Sequence, residues 1–126
     1  MPTALQGPPV ASSRLELWRI TDRSTFQALR QRGRRARRGP LTVTWLAPDP
    51  GDVRPPRAGF AIGRSVGGAV TRNRIRRRLR AALRELQAGD RLPAGTYLLG
   101  GSAALADLPW PALVELLDTT ITEARS

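Results

Sequence analysis

Apolar residues recur every three to four positions between about Thr71 and Gln87, at Ile75, Leu79, Ala82, Leu83 and Leu86. At 100° per residue they fall within an arc of about 100°, the width of a stripe that packs one helix face on a core. No Pro or Gly interrupts the stretch before Gly89, and its residues are good helix formers, so the pattern predicts the strongest helix of the chain. Arg74, Arg76, Arg77, Arg78, Arg80 and Arg84 lie outside the stripe and Arg72 at its edge. The helix therefore packs by one face and offers arginine on the rest.

Elsewhere the period is two. Leu41, Val43 and Trp45 alternate with Thr42 and Thr44, which predicts a strand from Leu41 to Leu46 with one apolar and one wet face. Turn formers from Pro48 to Pro56 predict a surface loop joining two antiparallel strands. The second strand, Arg57 to Gly63, puts Ala58, Phe60 and Ile62 on one face and small Gly59 and Ala61 on the other, where something large can approach. A helix precedes the first strand, with Thr21 or Asp22 as N-cap, Phe26 and Leu29 as an apolar pair, and Gly33 ending it in the left-handed conformation. The run from Arg34 to Pro40 is too polar for a core. After a turn from Gly89 to Gly95, Thr96 to Leu99 form a short strand. A terminal helix starts near Pro109 and buries Leu113, Leu116, Leu117, Thr120 and Ile121; its polar face carries acids. This order predicts an α+β fold, an α-β sandwich with one small, mainly antiparallel sheet packed with helices. Residues 1–15, with Pro2, Pro8 and Pro9, are expected to form a flexible leader. Residues 16–126 then make a single domain, because 126 residues are too few for two good cores.

Charge changes the picture from fold to partner. The chain has 21 basic residues, all arginine, against 10 acids, a net charge of +11. Seventeen arginines lie between Arg23 and Arg84 with only Asp49 and Asp52 among them, whereas beyond Arg84 there are 2 arginines and 6 acids. One part of the fold is therefore built to meet a polyanion. Arginine identity alone is weak evidence, since base composition of a genome can favour it, but arginine suits bidentate phosphate contacts and base stacking. With no Cys there is neither a disulfide nor a thiolate metal site. No apolar run approaches the ~20 residues of a membrane span, and the expected location is the cytoplasm.

The basic helix follows a glycine loop: Gly63-Arg64-Ser65-Val66-Gly67-Gly68-Ala69-Val70-Thr71-Arg72-Asn73-Arg74-Ile75-Arg76-Arg77-Arg78-Leu79-Arg80. Free N–H groups at a helix start attract phosphate, so loop dipoles and guanidinium groups act together. A solvated basic helix is the alternative, and mixed charges usually cover such a face. This segment resembles the protein subunit of bacterial ribonuclease P, whose pattern reads roughly Gly-x-x-Val-x-Lys-Lys-x-Gly-x-Ala-Val-x-Arg-Asn-Arg-x-Lys-Arg. Gly59, Arg64, Gly67, Ala69, Val70, Arg72, Asn73, Arg74 and Arg77 match, with Arg for Lys at 64 and 76. The resemblance runs from about Leu17 to Ile121 and is strong around residues 59 to 80.

The resemblance implies an α-β sandwich like the second domain of ribosomal protein S5, in which a left-handed βαβ crossover displays the Arg-Asn-Arg helix. It assigns Arg64, Gly67, Arg72, Asn73, Arg74, Arg76, Arg77 and Arg78 to the catalytic RNA. A cleft between the first helix and the sheet would take the single-stranded 5′ leader of precursor tRNA, with Phe26, Arg30, Thr44 and Trp45 as candidate lining. Phe26 has a second reading as a core anchor, and Trp45 reads rather as a core residue opposite Val43 than as a base platform. Ser65 stands where a second basic residue is usual, Gly68 replaces a frequent Asn, Arg30 replaces a second aromatic, and no Arg follows the last strand around Gly100 to Ser102. Leader contacts would then rest more on Arg30 and Thr44 than on stacking.

The chain has no His and no Cys, so the usual protein acid, base and nucleophile are missing. No catalytic residue and no protein metal site are expected. The resemblance implies that the RNA and Mg²⁺ bound to it perform the hydrolysis, while the protein supplies affinity and positioning. Its partners would be the catalytic RNA and precursor tRNA, with no membrane and no obligatory protein partner. A ribosomal structural protein and a membrane-surface helix over 71–87 are the competing classes, the latter weakened by the absence of Trp or Phe on the apolar face. Six phosphate contacts on single-stranded sites would give a log–log salt slope of about −4.

Overall fold

A computed structural model describes the backbone of Trp18–Arg19 and all of residues 23–126. The elements are β1 (Trp18–Arg19), α1 (Arg23–Arg32), β2 (Arg34–Arg38), β3 (Leu41–Leu46), β4 (Arg57–Ala61), α2 (Ala69–Ala88), β5 (Thr96–Gly101) and α3 (Trp110–Arg125). Short 3-10 turns at Arg64–Val66 and Ala103–Ala106 precede α2 and α3. The expected leader at residues 1–15 and the expected cap at Thr21 or Asp22 lie outside the described residues.

One five-stranded sheet runs in the order β1-β4-β5-β3-β2. It is antiparallel from β2 through β3 to β5 and parallel from β5 through β4 to β1. β3 and β4 run in opposite directions, as the alternation predicts, but are not neighbours: β5 lies between them. The loop from residue 47 to 56 has length enough to pass over one intervening strand, since two strand spacings are about 10 Å. A second difference is β2 itself. The arginine run pairs residue by residue with β3, Arg35 with Thr44 and Arg37 with Thr42, and only Ala36 is buried. Backbone pairing, not side-chain pattern, makes this strand.

Two layers of side chains result. Leu41, Val43, Tyr97, Leu99 and Ala58 face α2 and α3 and form the core with Ile75, Leu79, Leu83, Leu113 and Leu117. The helical stripe from Ile75 to Leu86 is fully buried, as its spacing predicts, each large side chain contributing roughly 1.5–3 kcal/mol. In α3, Leu113, Leu117, Thr120 and Ile121 are buried as expected and Leu116 half-buried, with Val114 and Ala124 added.

The other sheet face receives α1, which inserts Thr25 and Leu29 over β3. Gly33 closes this helix through its N–H on the Leu29 carbonyl at 2.9 Å, but its φ is not positive. The left-handed ending is corrected: the chain continues directly into extended β2, so no reversal is needed. Glycine is required here for closeness, because a Cβ would stand 2.3 Å from the Leu29 carbonyl oxygen and 2.6 Å from Thr44 Cγ2.

Candidate nucleic-acid interface

α2 begins two residues earlier than its apolar stripe predicts, because Gly68 in extended conformation serves as N-cap and Ala69 and Val70 form the first turn. No side chain caps that turn and no acid lies in it, so the outward N–H groups and the positive end of the helix dipole are left to an anion. Val70 is 84% exposed beside them. Before it, the 3-10 turn is closed by Val66 N–H on the Gly63 carbonyl and Gly67 N–H on the Arg64 carbonyl. Gly67 holds φ 154° and ψ −170°, a region essentially restricted to glycine.

The arginines of α2 divide by what they hold. Arg72 donates Nε–H to the Gly67 carbonyl (3.2 Å) and Arg74 donates Nε–H to the Ala106 carbonyl (2.9 Å). In both, the hydrogen bond to the fold engages Nε and not the two Nη groups. Arg76 instead uses both Nη groups, on Asn73 Oδ1 (3.0 Å) and the Ile62 carbonyl (3.2 Å). Arg78 does the same on the Leu105 carbonyl (2.6 Å) and the Leu108 carbonyl. Arg78, expected at the catalytic RNA, flanks the buried stripe and fastens the 3-10 turn before α3 onto α2. The side chains of Arg64 and Arg77, both exposed, make no hydrogen bond or ion pair among the described residues. Arg80 lies over the Phe60 ring at 5.5 Å.

The second expected site forms between α1 and the sheet. Phe26, Leu29 and Arg30 of α1 face Arg35, Thr44 and Leu98 across a cavity of about 270 Å³. Phe26 is half-buried with its ring at the cavity, Thr44 is 7% exposed on the floor, and Arg30 is exposed at the rim. Phe26, Arg30 and Thr44 thus come together. Trp45 does not. Strand alternation turns it to the opposite face, where its Nε1–H binds the Ala94 carbonyl (3.1 Å) and the Arg125 guanidinium lies 5.4 Å from its ring centroid. Its place in the leader lining is corrected to the α3 side of the sheet. Arg35, in the run set aside as merely polar, is the lining residue that periodicity missed; an i, i+2 reading of residues 34–38 would have found it.

On the other flank of α1, a cavity of about 420 Å³ is bounded by Thr25, Arg32, Arg57, Thr96 and the loop 47–54. That loop is set by Asp52, which accepts from Arg54 Nε (3.0 Å) and Nη2 (2.8 Å) as well as its backbone N–H (3.0 Å). The hydrogen bonds and charge of Arg54 hold the Asp52 carboxyl at about 2. Tyr97, buried under the sheet with its hydroxyl donating to the Pro93 carbonyl, has its phenol pushed upward by burial. Among the described residues no three His, Cys, Asp or Glu side chains converge on a point, and no helix is long and apolar enough to cross a membrane.

The family model described as Ribonuclease P matches residues 16–125. The ribonuclease P protein component of Acidothermus cellulolyticus is 41% identical over 95 residues, covering 72% of this chain and 78% of that protein. That of Symbiobacterium thermophilum is 37% identical over 109 residues, covering 85% and 90%. Among solved structures, the RNase P protein of Staphylococcus aureus superposes with a TM-score of 0.69 at 19% identity, covering 86% of this chain and 95% of that one. The RNase P protein of Thermotoga maritima gives 0.67 at 20% identity, covering 81% and 94%. These last two likenesses carry the fold.

Proposed function

Since the chain belongs to the ribonuclease P protein family, we propose that it acts as the protein component of that ribonucleoprotein, binding the catalytic RNA and the 5′ leader of precursor tRNA and assisting endonucleolytic removal of the leader. The observation that carries this reading is the pairing of two surfaces of different kind in one small fold. One is a glycine-led helix start lined with arginine; the other is a cleft that brings Phe26, Arg30 and Thr44 together.

Each surface has a separate task. At α2, the free N–H groups of the first turn and the outward guanidinium ends of Arg64, Arg72, Arg74 and Arg77 take phosphates of the catalytic RNA, while Asn73 offers hydrogen bonds without charge. In the cleft, the Phe26 ring stacks on a leader base, a contact of roughly 1–3 kcal/mol, and Arg30 takes the adjoining phosphate. The protein's share of the catalysis is positional: a leader held in the cleft and an RNA held at α2 fix the scissile bond between them.

In this reading no side chain of the chain serves as acid, base or nucleophile. Mg²⁺ carried by the RNA would supply the activated water and the charge stabilisation. The products are a mature tRNA with a 5′-phosphate and a leader with a 3′-hydroxyl.

The test is cleavage of precursor tRNA by a bacterial ribonuclease P RNA at low Mg²⁺, with and without the protein. Stimulated cleavage at the mature 5′ end is expected. Absence of stimulation, with folded protein and cognate RNA, would return a ribosomal structural role to first place.

A further inference from the structure

The sheet face that α1 covers is covered only in part. α1 packs chiefly on β3, and the row of residues next to the cleft, Arg37, Thr42, Gly100 and Ala61, crosses β2, β3, β5 and β4 in register. Apart from Arg37 at its edge, no side chain in this row is larger than threonine; Ala61 is exposed and Thr42 and Gly100 are half-buried. At the β4 end, the chain leads within three residues to Arg64 and the glycine loop of α2. At the other end stands β2, the outermost strand of the sheet.

The four arginines of β2 divide cleanly between its two faces. Arg34 and Arg38 point toward α3, where Arg34 binds the Arg125 and Ser126 carbonyls and Arg38 lies 3.6 Å from Glu123. Arg35 and Arg37 point the other way, Arg35 into the α1 cleft and Arg37 to the bare row beside it. Both are exposed, and among the described residues neither side chain makes a hydrogen bond or ion pair. Being two residues apart on a strand, they stand about 7 Å from each other along it, so that Arg35 closes the β2 end of the cleft row and Arg37 that of the bare row.

We propose that Arg35 and Arg37 are backbone-positioning residues for single-stranded RNA, extending the leader track beyond the α1 cleft across the floor of Thr42, Gly100 and Ala61 toward Arg64. The proposal rests on the leader reading of the cleft and adds to it the mode of recognition. The occupant is polyanionic because the wall is cationic and its side chains are unpartnered among the described residues, and single-stranded because the row lies directly beside the cleft that the leader reading assigns to a single strand. Contacts of this kind carry no base information, so the extended track grips a leader whatever its sequence.

The experiment measures affinity of the holoenzyme for precursor tRNA with either a short leader, reaching only the row of Phe26 and Thr44, or a longer one, across a range of salt. The wild-type complex gains affinity from the longer leader. In the Arg35→Gln/Arg37→Gln variant that gain falls by about 25-fold at about 0.1 M salt, and the salt slope falls by about 1.4, the value for two phosphate contacts on a single strand. Arg34→Gln/Arg38→Gln, which removes the same charge from the same strand on the other face, keeps the gain; thermal melting confirms that both variants are folded. The proposal is overturned if the first variant keeps the gain, if both variants lose it equally, or if the first variant loses affinity for the catalytic RNA alone instead. A wild-type complex that gains nothing from any leader would overturn the leader reading itself.

Discussion

Gly67 is the point at which the fold and the proposed phosphate-binding helix start depend on a single backbone conformation. Its φ of 154° with ψ −170° is a region that costs a residue with a Cβ about 1–3 kcal/mol. A Cβ there would also meet Thr71 Cβ and Cγ2, each at 3.3 Å. Gly67→Ala is therefore expected to lower stability by about 1–3 kcal/mol, or about 4–15 °C in Tm for a domain of this size. Relief of the strain shifts the 3-10 turn and breaks the Arg72 Nε–H contact with the Gly67 carbonyl, so Arg64 and Arg72 no longer converge with the first-turn N–H groups. Loss of either phosphate contact reduces affinity for the catalytic RNA about five- to eightfold at about 0.1 M salt. The neighbouring Gly68 supplies the control, because its φ is −72° and nothing lies within 4 Å of where its Cβ would be. Gly68→Asn places a favoured N-cap residue in an allowed conformation and is expected to stabilise by about 0.5–1 kcal/mol. Thr71→Ser separates the two causes: it removes Cγ2 but not the backbone penalty, so Gly67→Ala/Thr71→Ser stays destabilised. Thermal melts and filter-binding titrations read both effects. If Gly67→Ala melts and binds as wild type does, the argument from backbone strain is wrong; if Gly68→Ala costs as much as Gly67→Ala, the effect is general stiffness of the loop.

Arg78→Ala, which releases the carbonyls of Leu105 and Leu108, is expected to lower stability by about 1.5–3 kcal/mol, whereas Arg77→Ala stays within about 0.5 kcal/mol and loses RNA affinity instead; melting and binding on the same two proteins check the inversion. With Arg76 and Arg78 engaged in the fold, four arginines at the α2 start remain for phosphate, so the salt slope for the catalytic RNA is expected near −2.8 and not near −4, as a binding series in KCl will show. Phe26→Ala is expected to weaken leader-dependent affinity roughly 5- to 150-fold, read as the difference between precursor and mature tRNA. Tyr97 is the chain's one tyrosine, and its folded phenol lies above the ordinary value of about 10; the contribution to stability is complete below pH 10 and is lost as pH rises beyond it, so phenolate absorbance should appear together with unfolding, and a phenolate titrating at about pH 10 in folded protein would contradict its burial.

The helices were legible because their signals are local. The three- and four-residue spacing of Ile75 through Leu86 and of Leu113 through Ile121 states which face is buried, and β3 announces itself by alternation. The neighbours of each strand were not legible. That β5 enters between β3 and β4 depends on the crossover through α2, a choice made by packing of the whole sheet and not by any residue within it. β2 was hidden for another reason: four of its five residues are arginine, a poor strand signal, and what forms it is the hydrogen-bonding edge of β3. The glycine loop illustrates a third case. Its glycines are visible in the sequence, but only the structure distinguishes Gly67, which needs its conformation, from Gly68, which does not.

The same limit applies to charge, and it bears on function. In sequence the arginines are equivalent, and clustering directs attention to α2, where they are densest. Yet density on a helix that is half buried sends flanking side chains back onto the fold: positions beside the apolar stripe lie within reach of the carbonyls of Ile62, Leu105, Ala106 and Leu108, and Arg74, Arg76 and Arg78 take them. An edge strand does the opposite. Its alternate side chains stand perpendicular to the sheet, and on the α1 side, where the helix packs chiefly on β3, the side chains of Arg35 and Arg37, from a shorter and less conspicuous run, make no hydrogen bond or ion pair among the described residues. The surface available to RNA is consequently narrower on α2 and broader along α1 and β2 than the distribution of charge in the sequence suggests. On the proposed reading, a protein of this size serves two RNAs because its basic residues are sorted in this way, by the geometry of the element that carries each one.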